Sequence, residues 1–211
     1  YYFDRKEFNK STLILGEAYR YDKKNYIIGM NYVKSLVKQK KYMDAISILD
    51  EIEILPYEHA GEGRDLYSSA YLGLAMKNIL KSNFEKAVIL LNESKKWPEN
   101  LGVGKPYDPD ERIENYLLNY SFEKLRMKNK ENLTMEIIDF SYENIDELNA
   151  NHIIGYIVLE REKGENAANQ FLKDLIEIHG DESEEIKFII DYKENNFNES
   201  FEFLNKIKLL D

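Results

Sequence analysis

The sequence contains no cysteine among its 211 residues, which excludes disulfide bridges and thiolate chemistry. It has only 4 prolines and 10 glycines, too few for a disordered or fibrous chain. Hydrophobic residues make up 43% and charged residues 32%, proportions that predict a globular protein with a sizeable core. The lack of cysteine does not fix the compartment, so the cytoplasm and the periplasm both stay open.

The sequence also lacks an excess of basic residues and a long apolar run. The net charge is −10, which disfavours nucleic acid as a partner because phosphate binding needs a basic face. No apolar run approaches the roughly 20 residues of a membrane span, so we expect no membrane insertion. No signal peptide is legible, but the chain starts YYFDRKEF without Met, which indicates a processed protein or an excised fragment.

The clearest internal feature is a repeated pattern of four side chains. An aromatic residue is followed by a small one three positions later, an apolar one seven later and a small or apolar one ten later. These offsets place all four side chains on one stripe of a helix. The copies are Phe8-Ser11-Leu15-Ala18, Tyr42-Ala45-Leu49-Ile52, Phe84-Ala87-Leu91-Ser94 and Phe197-Ser200-Leu204-Ile207.

The spacing of these copies predicts stacked pairs of helices. The first two aromatic residues are 34 residues apart and the third follows 42 later. Another amphipathic stretch precedes each of the last three copies, at residues 26–39, 66–81 and 182–193. Fourteen residues after each aromatic stand Asp22, Pro56, Pro98 and Asp211, where we predict that the helices end.

Two segments of the chain, 26–58 and 68–100, resemble the tetratricopeptide repeat family. Residues at the family's signature places are Tyr42, Ala45 and Pro56 in the first segment and Phe84, Ala87 and Pro98 in the second. Residues 109–145, 147–180 and 182–210 resemble degenerate helix pairs. The resemblance implies one all-α domain over 1–211, a right-handed α–α superhelix of about eleven helices.

The same resemblance implies where a partner binds. In this family the first helix of each pair lines a concave groove that holds a peptide or a domain. Tyr116, Asn119 and Tyr120 are then candidates to face the groove, together with Lys34 and Lys38. The alternative is that these five residues belong to ordinary core and solvated surface.

A second repeated motif is the loop E-[H/N]-[A/L]-G-x-G-[R/K]. It occurs at 58–64 and again at 99–105, each time after a predicted helix-ending proline. We expect the two loops to lie side by side. In one interpretation their glycines adopt positive φ as turns, with Asp108 as N-cap and Pro109 as first residue of the next helix. In the other, Arg64 and Lys105 form an edge that binds an anion or a carboxylate.

Neither loop is a nucleotide-binding P-loop, since Pro106 follows Gly104-Lys105 and Glu99 stands where the first glycine belongs. The three histidines include no pair at i, i+4 spacing, so no metal site and no cofactor are predicted. No catalytic constellation is legible either.

The sequence therefore predicts a non-catalytic protein-interaction scaffold that binds a peptide segment or a neighbouring domain of the same polypeptide. The alternative is an accessory module of a larger enzyme that binds a small anion or a carbohydrate through the paired loops. That alternative draws on a resemblance of the loop motif to tetratricopeptide-like arrays in large bacterial proteins that carry carbohydrate-related domains.

Overall fold

The computed structural model describes residues 7–56, 61–127 and 130–195, with residues 130, 131 and 195 described by their backbone alone. In these ranges the chain forms ten α-helices and no strand, which confirms the predicted all-α class. The helices are α1 (Phe8–Tyr21), α2 (Tyr26–Lys38), α3 (Tyr42–Leu49), α4 (Glu62–Ile79), α5 (Phe84–Ser94), α6 (Arg112–Lys124), α7 (Lys130–Glu143), α8 (His152–Lys163), α9 (Glu165–His179) and α10 (Glu184–Asn195).

The helix predicted to begin at Phe197 lies outside the described residues, so the expected total of about eleven stays a prediction. The chain divides into two compact units, Tyr1–Pro109 with α1 to α5 and Asp110–Asp211 with α6 to α10. Each unit is described by itself below. The single domain over 1–211 and its repeat boundaries also stay predictions.

In the first unit each helix packs against the next, and α2 also packs against α4. The aromatic residue of each described copy of the repeated pattern is the first residue of a helix, as at Tyr42 and Phe84. The small residues that follow, Ala45 and Ala87, are fully buried. The burial of these alanines agrees with the predicted helical stripe, because a side chain of one carbon lets a neighbouring helix approach closely.

The second unit is organised around α8. This helix packs against α6, α7, α9 and α10, and its residues from His152 to Leu159 are all buried. Gly155 allows the close approach to α7, since a Cβ at this position would lie 2.4 Å from Ser141 Oγ. A helix that is apolar on every side is the expected centre of such a unit.

The first helices of three pairs end in the same turn. The backbone N–H of Lys41 donates to Leu36 O at 2.9 Å, and that of Asn83 donates to Asn78 O at the same distance. A third such bond joins Met127 N to Phe122 O at 2.9 Å. The residue before each donor has positive φ, 58° at Lys40 and 57° at Ser82, with Arg126 at 56°. This is the Schellman ending of a helix, here repeated without glycine.

Three predicted helix boundaries are wrong. Helix α3 ends at Leu49 instead of Pro56, because Asn100 Nδ2 donates to Leu49 O at 2.9 Å and to Ile52 O at 2.8 Å. These bonds satisfy carbonyls that a longer helix would use itself. Helix α5 likewise ends at Ser94, before Pro98.

The third wrong boundary is the start of α6, which begins at Arg112 and not at Pro109. Asp110 Oδ1 accepts a hydrogen bond from the backbone N–H of Arg112 at 3.1 Å, which fixes the chain in a turn before the helix. The boundary at Asp22, directly after α1, agrees with the prediction.

Gly73 offers a test of the close packing in the first unit. A Cβ here would lie 2.2 Å from Cζ of Tyr42, whose ring is buried. We expect Gly73→Ala to lower the free energy of unfolding by about 1–3 kcal/mol, as overpacked cores do. Urea denaturation measures this change, and Ser69→Ala on the same helix is the control, expected to shift stability by less than about 0.5 kcal/mol.

In a Tyr42→Leu background, Gly73→Ala should lower the free energy of unfolding by less than it does in the native chain, since the smaller side chain leaves room for the methyl group. Equal losses from Gly73→Ala in the two backgrounds would contradict a direct clash.

Candidate functional site

The two lysines predicted to face a groove lie on one open stripe of α2. Ile27, Asn31 and Lys38 are exposed and Lys34 is half-buried, at spacings of four, three and four residues. Lys34 Nζ pairs with Glu62 Oε1 on α4 at 2.5 Å. The surface of α2 beside α4 is therefore polar, accessible and basic at Lys38. Ile27 adds an apolar contact, since 57% of its surface is exposed.

The three candidates on α6 are placed differently from one another. Tyr116 and Tyr120 are half-buried, and Lys124 Nζ stands 4.9 Å from the centre of the Tyr120 ring. Asn119 is only 1% exposed, and its Nδ2 donates to Thr134 Oγ1 on α7 at 2.7 Å. Asn119 therefore joins α6 to α7, while the two tyrosines remain partly accessible.

The paired glycine loops lie against each other, as predicted. Residues 58–60 of the first loop lie outside the described residues, and Gly61 to Arg64 run into α4. A Cβ on Gly63 would lie 3.5 Å from Leu101 of the second loop. The backbone N–H of Ile54 donates to Asn100 O at 2.8 Å, which links the chain after α3 to the chain after α5.

The two basic residues of the loops have different surroundings. Arg64 is 7% exposed, its Nη2 donates to Ser94 O at 2.8 Å and its guanidinium lies 4.6 Å from the centre of the Trp97 ring. Lys105 is exposed in the segment that follows Gly104. Arg64 thus caps the end of α5 and packs on Trp97, a geometry that uses both its charge and its flat face.

The predicted positive φ holds for one loop and not for the other. Gly102 has φ of 76°, and a Cβ there would lie 2.8 Å from Ile54 O. Gly61 has φ of −61° and Gly63 lies within α4, so for the first loop the prediction is wrong. Gly63 is needed for space instead, since its Cβ would lie 3.0 Å from Ile54 Cδ1.

A buried polar cluster in the second unit was not anticipated from the sequence. Arg112 is 1% exposed and makes a double contact with Asp110, Nε to Oδ1 at 2.9 Å and Nη2 to Oδ2 at 2.8 Å. Its guanidinium also donates to Asn149 Oδ1 at 2.9 Å and to Ser141 Oγ at 3.2 Å. Burial alone would raise the pKa of Asp110, but the hydrogen bonds and charge of Arg112 outweigh it and lower the pKa.

His152 lies beside this cluster and is fully buried. Its Nδ1 lies 3.2 Å from the backbone N and 3.1 Å from the backbone O of Asn149, and its Nε2 faces Asn144 O at 3.3 Å. Burial and the Arg112 charge lower the pKa of His152 to about 4. The sequence signal for the cluster is the Asp110-x-Arg112 spacing directly before a helix.

Within the described ranges, no group of three or more His, Cys, Asp or Glu side chains is arranged to hold a metal ion. His59 lies outside those ranges, and His179 Nε2 lies 2.7 Å from Ile145 O. None of the described helices combines the length and the apolar character needed to cross a membrane.

Comparison of the chain with protein-family models, with curated proteins and with solved structures finds no match in any of the three.

Gly102 and Gly104 form a matched pair for testing the turn. We expect Gly102→Ala to lower the free energy of unfolding by roughly 2 kcal/mol or more, through the left-handed backbone and the clash with Ile54 O. Gly104 has no atom within 4 Å of its Cβ position, so Gly104→Ala should change stability by less than about 0.5 kcal/mol. Urea denaturation measures both. Equal effects of the two substitutions on stability would contradict the role of Gly102 in the turn.

His152 should make stability depend on pH. Its folded pKa of about 4 lies below the ordinary value of 6.5, so the unfolded chain binds the proton more tightly. The free energy of unfolding then falls as pH drops from about 6.5 to about 4, with a contribution from this group of about 3 kcal/mol.

Urea denaturation at several pH values should show a smaller fall in the free energy of unfolding for His152→Gln than for the native chain. Phe171→Leu, which removes core packing beside His152 without removing a titrating group, should keep the native slope. An unchanged slope in His152→Gln would show that other groups control this pH range.

Proposed function

We propose that the chain is a tetratricopeptide-like helical repeat that forms a right-handed superhelix and serves as a non-catalytic interaction scaffold. The contacts between helices support this proposal. In the first unit α2 packs against α4, and in the second α8 packs against both α6 and α10. Within each unit the first helices of successive pairs are therefore in contact, as expected if helix pairs stack into a solenoid.

The repeated helix ending supports the same proposal. Lys40 and Ser82 adopt the left-handed conformation at equivalent points, each two residues before the aromatic that starts the second helix. A shared turn geometry sets a shared angle between the two helices of a pair. Repetition of that angle along the chain is what gives a solenoid its curvature.

The open stripe of α2 is the observation on which the proposed binding surface rests. Asn31 and Lys38 are exposed on a helix that is otherwise anchored to its neighbours by Val33 and Leu36, both buried. We propose that this stripe, with Lys34, holds an extended peptide or a neighbouring domain of the same polypeptide. Lys38 favours an acidic segment, and Tyr116 and Tyr120 supply a second, aromatic contact surface in the other unit.

The scaffold is preferred to an anion- or carbohydrate-binding module because Arg64 already has partners. Its guanidinium donates to Ser94 O and lies on the Trp97 ring, and only 7% of the residue is exposed. Of the two basic loop residues, Lys105 alone is exposed. Arg64→Ala would also disturb the end of α5, so Lys105→Ala is the cleaner test of the loops.

Site-specific photo-crosslinking tests the proposed surface. The photoreactive residue p-benzoylphenylalanine is placed at Asn31 or Lys38 on the stripe, at Lys105 in the loop, and at Lys86, an exposed position of α5, as control. After irradiation in lysate of the source cell, Asn31 and Lys38 should capture the same partner, and Lys86 should capture none.

The captured partner is then purified and titrated against variants. Lys38→Glu should weaken its affinity by about tenfold, the effect of losing one charged hydrogen bond, and Tyr120→Ala should weaken it as well. Lys105→Ala should leave the affinity unchanged. Capture from Lys105 alone, with affinity lost in Lys105→Ala, would favour the loop module, and substrate turnover by this chain would contradict both proposals.

A further inference from the structure

An open cavity of about 530 Å³ lies in the first unit between α1, α2 and α3. Its walls carry the apolar side chains of Leu13 and Ile48 and the rings of Tyr19 and Tyr32. The two rings stand 6.1 Å apart with planes tilted by 38°. The volume lies within the range of small-molecule sites, which combine apolar walls with a few polar groups.

One polar group in this wall is buried and lacks a partner. Tyr19 is 2% exposed, and its Oη makes no hydrogen bond with the described residues. A buried hydroxyl without a partner destabilises a protein by about 1–3 kcal/mol, so such groups call for an explanation.

Glu51 is an acceptor close to this hydroxyl. Its carboxylate acts on the hydroxyl through its charge and is near enough for a hydrogen bond, although Oε2 is also paired with Lys23 Nζ at 3.0 Å. Burial, with Glu51, raises the pKa of Tyr19, so the hydroxyl keeps its proton and remains a donor at neutral pH.

The rim of the cavity is basic in a protein of net charge −10. Arg20, Lys23 and Lys41 stand there against one carboxylate, that of Glu51. Glu51 neutralises Lys23, so Arg20 and Lys41 are the cations that remain to hold an anionic group. Arg20 Nε donates to Gly16 O at 3.2 Å, which orients the guanidinium, while among the described residues its terminal nitrogens and Lys41 Nζ have no partner.

We propose that this cavity binds a small organic anion with an apolar body. The acidic group is held at the rim by Arg20 and Lys41, and the body packs on Leu13, Ile48 and the two tyrosine rings. The site uses α1, the outer face of α2 and α3, and stands apart from the proposed peptide surface beside α4.

Two fluorescent probes that share an aromatic framework test the proposal. 1-Anilinonaphthalene-8-sulfonate carries a sulfonate, and N-phenyl-1-naphthylamine is the same framework without the charge. Titration of the whole chain should show one site for the sulfonate with an affinity about tenfold or more above that of the neutral probe. Added salt should weaken only the charged probe.

Four variants locate the binding. Arg20→Gln/Lys41→Gln should weaken the sulfonate about tenfold and leave the neutral probe unchanged. Leu13→Trp fills the cavity from an exposed position and should weaken both probes, while Tyr19→Phe, which keeps the ring in the wall, should change neither. Lys86→Gln removes an exposed lysine that does not line the cavity and should change neither.

The result that overturns the proposal is sulfonate binding that is insensitive to Arg20→Gln/Lys41→Gln and to Leu13→Trp, or equal binding of the two probes. Circular dichroism spectra of the variants separate loss of the site from loss of fold, and we expect them to match the native spectrum because Arg20, Lys41 and Leu13 are exposed.

Discussion

The close approach of neighbouring helices is the constraint on which the rest of this structure depends. Gly73 lies against the ring of Tyr42, and Gly155 lies against Ser141, each with no room for a further carbon atom. Where helices meet this closely, a glycine or alanine must stand opposite a larger side chain. The order of small and large residues along the chain therefore decides which helices can be neighbours, and with that the surfaces left open for binding.

The two units place buried cations at comparable points, next to the ends of helices. Arg64 joins the start of α4 to the end of α5 through Ser94 O and the Trp97 ring. Arg112, at the start of α6, is held by Asp110 and Asn149. The flat guanidinium lies on the Trp97 ring at Arg64 and makes a double contact with Asp110 at Arg112, and a lysine could reproduce neither geometry. These arginines are structural parts of the fold, and the binding surfaces we propose use other basic residues.

The sequence predicted the parts of the fold that depend on local periodicity. The all-α class, the helical stripes of α3 and α5 and the pairing of the glycine loops all follow from spacing along the chain. The ends of α3 and α5 did not, because α3 ends where Asn100 reaches its carbonyls from a distant segment. No local pattern reports a hydrogen bond between residues about fifty positions apart.

The candidate sites, too, were only partly predictable from the sequence. Lys34 and Lys38 were candidates only through the resemblance, and in the structure Lys38 is exposed while Lys34 is half-buried and paired with Glu62. The burial of Arg64 and Asn119 was not predictable, since charged and amide side chains are exposed by default and only long-range packing reverses this. The cavity beside Tyr19 was missed for the same reason, because three helices contribute to it and no single segment carries its pattern.

The contact from Asn100 back to α3 has a consequence for how the first unit unfolds. Repeat arrays usually open from one end, because each pair of helices depends only on its neighbours. Here the segment after α5 closes the end of α3, and Ile54 N donates to Asn100 O across the two loops. Helices α4 and α5 cannot detach without exposing the carbonyls of α3. These hydrogen bonds therefore couple the segments that follow α3 and α5, and we expect the two segments to open together.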